Sequence, residues 1–466
     1  MSAGAPLRVG FAAPYFTLVE PRMGAGYRDL RRAEAAGWAH ALGEEFELID
    51  AGLITTLEDG ERAGALFASR ATDVVVLAPT MVAPPAHALA ALDGAGAPAL
   101  LWTVPGFSHL PHELRPEQAA GNSMAVGATM IANVLVRRGR PFASIAAAPD
   151  DEAAMSRMRR VVRAAGSAGR LRGAVVLRIG QPVDGYLDVE SSEAELAALG
   201  VREHSVGADE LARAFSGVGA APARELLAEL RSAGWHLGEF PLLEDSARLA
   251  VALGELVDGV GAVCGTVNCH GPCLRFSETV GLPACLAVSV LSSRGIPFSC
   301  TGDQPTALAL LLARLLSGAA LYCEVNSAES ETGLALLSAG GEGDPAWLAA
   351  GGHVEVEPNR FFPGGRGEGA GVSFPVARGP ATLLSLSPVA DGWRLVWSTG
   401  AIEESRYASS LETPNAMFRF DRGPAVEACE AWSRSGATHH TAVAAGRLDL
   451  EVGVVCEALG IQSLRV

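Results

Sequence analysis

Residues 295–324 read GIPFSCTGDQPTALALLLARLLSGAALYCE. A polar knot, Thr301-Gly302-Asp303-Gln304-Pro305, separates two apolar runs, and a single acid, Glu324, ends the second. The knot has the composition of a helix start. Thr301 or Asp303 can supply a capping oxygen, and proline suits a first turn, where its missing N–H has no partner to lose. A helix is expected over 305–316. Residues 307–323 are the most apolar stretch, but they carry Arg314 and fall short of the ~20 residues that a bilayer crossing needs. The segment therefore reads as a buried helix running into a buried strand, and strand–helix–strand order predicts return to a parallel neighbour. Asp303 can be a cap and nothing more. Glu324 follows AALYC, a buried type of strand in which an unpaired carboxylate is costly. A strand-end acid facing a cleft is the alternative.

Outward from this segment the same rhythm recurs. LRVGFAAPYF, EFELIDAG, TDVVVLAP and APALLWTVPG are short apolar strands separated by helical stretches such as GYRDLRRAEAAGWAHALG and ERAGALFASRA. A further helix is expected over 117–138, before FASIAAAPDD. A second cycle opens at AVVLRIGQP and runs through SARLAVALGELVDGVG, AVCGTVNCH and PACLAVSVLSSRG. Strands alternating with helices imply parallel sheets covered on both faces, with ligand loops at the carboxyl ends of the strands. From about residue 333 the pattern changes to short alternating strands with Gly/Pro turns (HVEVEP, GVSFPVA, PATLLSLSPV, WRLVWSTGAIEE), which indicates an antiparallel barrel or sandwich. The expected fold is two Rossmann-like or flavodoxin-like α/β domains, 1–150 and 151–332, followed by a β-rich domain, 333–466. FFPGGRGEGAG reads as a Gly-rich loop within that last domain.

A chain of 466 residues, nearly half of them hydrophobic, is globular and too long for one ordinary core. A net charge of −16 opposes binding to nucleic acid or an anionic membrane, whose phosphates it would repel. No GxGxxG or Walker loop appears, so a nucleotide is not indicated. No basic segment followed by an apolar one opens the sequence, so a cytoplasmic location is expected. The eight cysteines then read as reduced thiols. Cys264, Cys269 and Cys273 with His270 lack a second pair to complete a zinc site, and they read as small buried hydrophobes.

Two further groups carry chemistry. His439 and His440 lie in GATHHT, a turn after a helix, where they are surface residues or ligands. Two acids and a histidine have the donor types of a hard divalent-metal site. In TVNCHGPCLRFSETVG, the side chains of Asn268, His270, Arg275 and Glu278 cluster after a strand of the second sheet, a place for polyol-binding donors or simply a solvated loop.

PNAMFRFDRGPAVEACEAWSRSGATHHTAVAAG resembles the end of L-arabinose isomerase, in which a helix with Ala and Trp leads into a Gly-Gly-Ala-His-His-Thr motif. TGDQPTALALLLARLLSGAALYCE resembles the metal-site region of the L-arabinose and L-fucose isomerases, where a carboxylate loop, a helix and a strand-end acid recur in that order. The resemblance is specific at these two segments and architectural over the rest. It implies an aldose–ketose isomerase in which Mn²⁺ polarises the sugar oxygens at C1 and C2, and carboxylates shuttle the carbon-bound proton through an enediol. By resemblance Glu324 is the strand-end ligand and a catalytic carboxylate. The histidine ligand falls on the His439–His440 pair, with His440 assigned to the metal and His439 to the substrate beside His270, Arg275 and Glu278. The loop glutamate of these families falls on Thr301 or on Asp303, depending on which flanking residues are aligned, and Asp303 is taken as metal ligand and catalytic group. Where the arabinose type has a further histidine ligand, Ala339 stands here, with Glu342 and Asp344 close but not equivalent. The resemblance further implies a sugar or polyol substrate and a homo-oligomer, a trimer or hexamer. Epimerisation or a lyase step on the same scaffold, and non-catalytic sugar binding, are the competing functions.

Overall fold

The structure is a computed structural model that describes residues 6–408 and 410–466. The chain divides into two compact units, one of residues 6–172 with 450–461, the other of 173–449 with 462–466. In the first, a five-stranded sheet runs in the order Glu47–Ile54, Arg8–Pro14, Val74–Leu77, Ala99–Thr103, Phe142–Ala146. Every pair is parallel. The one helix expected over 117–138 is two, Pro116–Gly121 and Met124–Arg137. Ser123 breaks it, because its hydroxyl donates to the Ala120 carbonyl and accepts the Val82 N–H, a local bond that competes with the helical ladder.

The second unit holds a four-stranded parallel sheet, ordered Phe298–Ser299, Cys264–Val267, Val175–Ile179, Arg202–Val206. It also holds an antiparallel barrel. Strands Gly379–Val389, His440–Ala445, Ala320–Ala328, Ala335–Ser338, Asn415–Phe420 and Gly392–Glu403 pair in that order, and the last returns to pair with the first. Closure leaves no bare edge in this ring. A small sheet of Trp235–Leu237, Val354–Pro358 and Ala370–Ser373 completes the unit. Parallel α/β sheets followed by a β-barrel are thus the fold class read from the sequence.

The helix expected over 305–316 spans Gln304–Ser317, and every residue from Gln304 to Ala313 is buried. It packs between the parallel sheet and the barrel, which explains why it is apolar on all sides. The following strand, Ala320–Ala328, does not return to a parallel neighbour. It pairs antiparallel with Ala335–Ser338 and His440–Ala445. Two features redirect it. Gly318 ends the helix in the left-handed conformation, φ 79°, and turns the chain toward the barrel side. The edge strand Phe298–Ser299 is two residues long and offers too few backbone groups to recruit a nine-residue partner. None of the cysteines forms a disulfide among the described residues, and six of the eight are buried. No helix among those residues is long and apolar enough to cross a membrane.

Candidate metal centre

Antiparallel register brings the two ends of the site together. Glu324 lies directly opposite His440 in the ladder between their strands, so both side chains share one face. His440 Nε2 stands 3.7 Å from Glu324 Oε1, beyond hydrogen-bond reach. The His440 side chain is 1% exposed, whereas that of Glu324 is 45% exposed, its other oxygen accepting from Asn326 Nδ2 at 3.1 Å. Thr438 Oγ1 donates to the His440 carbonyl at 2.7 Å, and the Thr438 N–H donates to Ser385 Oγ at 2.9 Å, which fixes the backbone at the start of the histidine strand.

Asp303 approaches from the other layer. It is the N-cap of Gln304–Ser317, with Oδ1 accepting the Thr306 N–H at 2.8 Å. Oδ2 lies 2.7 Å from His440 Nδ1, and the residue is wholly buried. The positive helix terminus favours the carboxylate there. The preceding residues hold it in place under strain: Thr301, β-branched, sits at φ 61°, in the left-handed region that such residues avoid. At Gly302, φ 83°, a Cβ would come within 2.6 Å of Pro182 Cα, so only glycine lets the 181–183 loop pass. That loop is tied down by the Val183 N–H donating to the Thr301 carbonyl at 3.0 Å.

Beyond it, the 3₁₀ turn Leu187–Val189 carries Asp188. One oxygen, Oδ2, accepts the His439 N–H at 3.0 Å and lies 2.6 Å from His439 Nδ1. Partial burial works against the Asp188 charge, but these bonds outweigh it and hold the carboxyl below its usual range. The Tyr186 ring packs edge-on against the His439 ring at 5.2 Å. Asp188 was not read from the sequence. It lies 251 residues from its partner, and the only signal was its place after the strand Val175–Ile179, at the carboxyl end of a parallel sheet.

Among the described residues, one group of side chains can hold a metal ion: Glu324, His439 and His440, each offering one ligand atom, all within 4.8 Å of one another. Asp303 is brought to His440 but is not in that group. Beside it, Glu342 is buried, which raises its carboxyl above the ordinary range despite hydrogen bonds from the Cys285 thiol and the Gly340 backbone. Burial likewise lifts the Tyr322 hydroxyl, whose ring lies 5.0 Å from that of His440. A cavity of about 810 Å³ adjoins the group, lined by Glu324, Ala339, Gly340, Asn359, Phe362 and Phe374 among others.

His270, Arg275 and Glu278 do not line that cavity. Arg275 is buried and donates from Nε to the Pro363 carbonyl at 2.9 Å, with Nη1 3.2 Å from His270 Nδ1. Its guanidinium lies 5.3 Å from the Phe362 ring centre, a cation–π contact that holds the Gly-rich loop. His270 meets Phe362 edge-on at 5.4 Å. Glu278 is exposed.

Residues 326–462 match the L-arabinose isomerase C-terminal domain. The matched segment includes both histidines and begins two residues after Glu324. No protein of curated function matches the chain by sequence. Among solved structures, a periplasmic solute-binding protein of an ABC transporter from Actinobacillus succinogenes 130z with bound D-allose is similar at 12% identity, over 63% of this chain and 83% of that one, with a TM-score of 0.16. The periplasmic binding component of the arabinose ABC transporter from Shewanella sp. ANA-3, bound to α- and β-L-arabinofuranose, is similar at 14% identity, over 66% and 95%, with a TM-score of 0.15. Superpositions this poor do not describe a shared architecture.

Proposed function

We propose that the chain is a metal-dependent sugar isomerase that interconverts an aldose and a ketose through an enediol. One observation carries this reading: an exposed carboxylate and a buried imidazole, Glu324 and His440, meet across the barrel ladder beside a cavity that Glu324 lines. The residues fit a divalent cation, because the ligand atoms are close together and Glu324 Oε1 stands 3.7 Å from His440 Nε2, beyond hydrogen-bond reach. When bound, the ion supplies Lewis acidity toward adjacent sugar oxygens. Glu324 helps to hold the ion and moves the proton between C1 and C2, its exposed side chain being free to reach a substrate in the cavity. Asp303 differs from the role assigned by resemblance. Both its oxygens are engaged, so it positions His440 and does not itself bind the ion. Arg275 and His270 act on the substrate only through the loop that carries Phe362.

A homo-oligomer belongs to this proposal, since Leu110 and Leu114 in the loop after Ala99–Thr103 are 68% and 42% exposed. The test is a panel of aldoses and ketoses in deuterated water with added divalent ions, read by proton exchange at C2. Exchange that Glu324→Gln abolishes supports isomerisation. Cleavage products, or inversion without ketose, would point to the lyase or epimerase alternatives, and the absence of turnover with tight sugar binding would leave a binding protein.

A further inference from the structure

We propose that His439 is a metal ligand alongside His440, that the two imidazoles and Glu324 form a two-nitrogen, one-oxygen centre, and that Asp188 and Asp303 are the positioning carboxylates that aim the two rings. The inference rests on the metal half of the preceding reading and is independent of which reaction follows.

Consecutive residues of a regular strand point to opposite faces. His439 and His440 do not: their ring centres lie 3.7 Å apart. The strand begins at His440, so His439 is outside the pleat, and its ring is drawn round by Asp188 and Tyr186. Each imidazole is then fixed in the same way. His439 Nδ1 faces Asp188 Oδ2 at 2.6 Å, and His440 Nδ1 faces Asp303 Oδ2 at 2.7 Å. A carboxylate accepts, so Nδ1 carries the proton in each neutral ring and the lone pair is left on Nε2. One ligand atom from each of His439, His440 and Glu324 lies within 4.8 Å of the other two. An ion bonded at about 2.0–2.2 Å needs its ligand atoms roughly 3–4 Å apart, and Glu324 Oε1 and His440 Nε2 meet this at 3.7 Å. The second, independent sign of a ligand is His440 itself: its side chain is 1% exposed, and the carboxylate oxygen that faces Nε2, Glu324 Oε1, stands 3.7 Å away, beyond hydrogen-bond reach.

The donor set decides which cations suit the site. Two imidazoles and one carboxylate favour borderline ions from Fe²⁺ to Zn²⁺ over Mn²⁺, and Mg²⁺, which prefers oxygen donors and keeps its water, is a poor fit. This departs from the Mn²⁺ that the family resemblance implies.

The test uses the full chain, stripped with a chelator and titrated with Co²⁺. We expect one Co²⁺ per chain, a visible absorption band of nitrogen-ligated cobalt, displacement by Zn²⁺ and none by excess Mg²⁺. His439→Gln should remove the band and weaken binding while leaving the melting temperature close to wild type, because the residue is at the surface. Asp188→Asn should keep the stoichiometry and weaken affinity by about 10–100-fold. Wild-type Co²⁺ affinity and spectrum in His439→Gln would overturn the proposal, as would displacement by Mg²⁺. Intact Co²⁺ binding without any sugar turnover would sink the isomerase reading and leave this one standing.

Discussion

His439 and His440 are neighbours in sequence, and each is held by one aspartate, but the two pairs live in opposite surroundings. The Asp303–His440 pair is sealed between the site helix and the barrel, with side chains 0% and 1% exposed. The Asp188–His439 pair stands on a loop at the rim, with side chains 45% and 37% exposed. The geometry of the two contacts is nearly the same. Water makes the difference, since a charge contact in low dielectric is strong and costly to break, whereas one in solvent is screened. The inner pair therefore belongs to the fold as much as to the site, and the outer pair can be changed with little effect on the fold. Loss of either aspartate should affect metal binding, but only loss of the inner one should also strongly destabilise the fold.

The largest effect is expected from Asp303→Ala. It removes a helix cap and leaves a buried imidazole without its anion, a loss of about 3–5 kcal/mol. Denaturant titration of the apo protein would measure it. A change below 1 kcal/mol would show that the inner pair is not sealed from water.

Next comes Glu203, the second support of the same helix start. Its carboxylate accepts from Gln304 Nε2, Ser205 Oγ and the Arg178 guanidinium, the last at 2.7 Å. Burial opposes the charge, but these three donors outweigh it and lower the carboxyl below its ordinary range. An acid with a depressed folded value binds fewer protons folded than unfolded. Its stabilisation is therefore fully present above the unfolded value, about 4.3 for a glutamate, and is lost as pH falls through the folded one. Glu203→Gln should cost about 1.5–3 kcal/mol at pH 7 and should flatten the acid limb of a stability–pH curve. Parallel acid limbs in the two proteins would count against this account.

Thr301→Gly probes the strain beneath the inner pair. Glycine adopts φ 61° freely and threonine does not, so the substitution should be neutral or stabilising by about 1 kcal/mol. A loss of more than that would mean that the Thr301 hydroxyl, which donates to the Cys300 carbonyl at 2.7 Å, outweighs the strain.

The inner pair was partly legible in the sequence and the outer pair was not. TGDQP announced a cap, and the greasy run after it announced a helix covered on all sides, because capping and burial are local or periodic properties. GATHHT gave the histidines. The expected convergence of Asp303, Glu324 and His440 rested on the wrong pairing: a parallel return of the strand was anticipated, whereas antiparallel register opposite His440 is what brings Glu324 there. Strand partners separated by over 100 residues leave no mark in periodicity. Asp188 left less still, since a lone aspartate in YLDVESS has no pattern, and its role exists only through one hydrogen-bonded ring far along the chain.

The smallest expected effect on stability sharpens the comparison most. Asp188→Ala removes a contact whose two side chains are each more than a third exposed, so the folded protein should lose only about 0.2–1 kcal/mol, within the range of a surface ion pair. The same substitution frees the His439 ring, which would then share its proton between Nδ1 and Nε2 and lose its fixed aim. Stability and metal affinity should therefore separate in this variant: a melting curve near wild type, and divalent-ion affinity lower by about 10–100-fold. In Asp303→Ala the two should fall together. Calorimetric metal titration beside thermal melting of both variants reads the contrast directly. If Asp188→Ala melts normally and also binds metal normally, the rim pair is an ordinary surface contact, and only the sealed pair serves the centre.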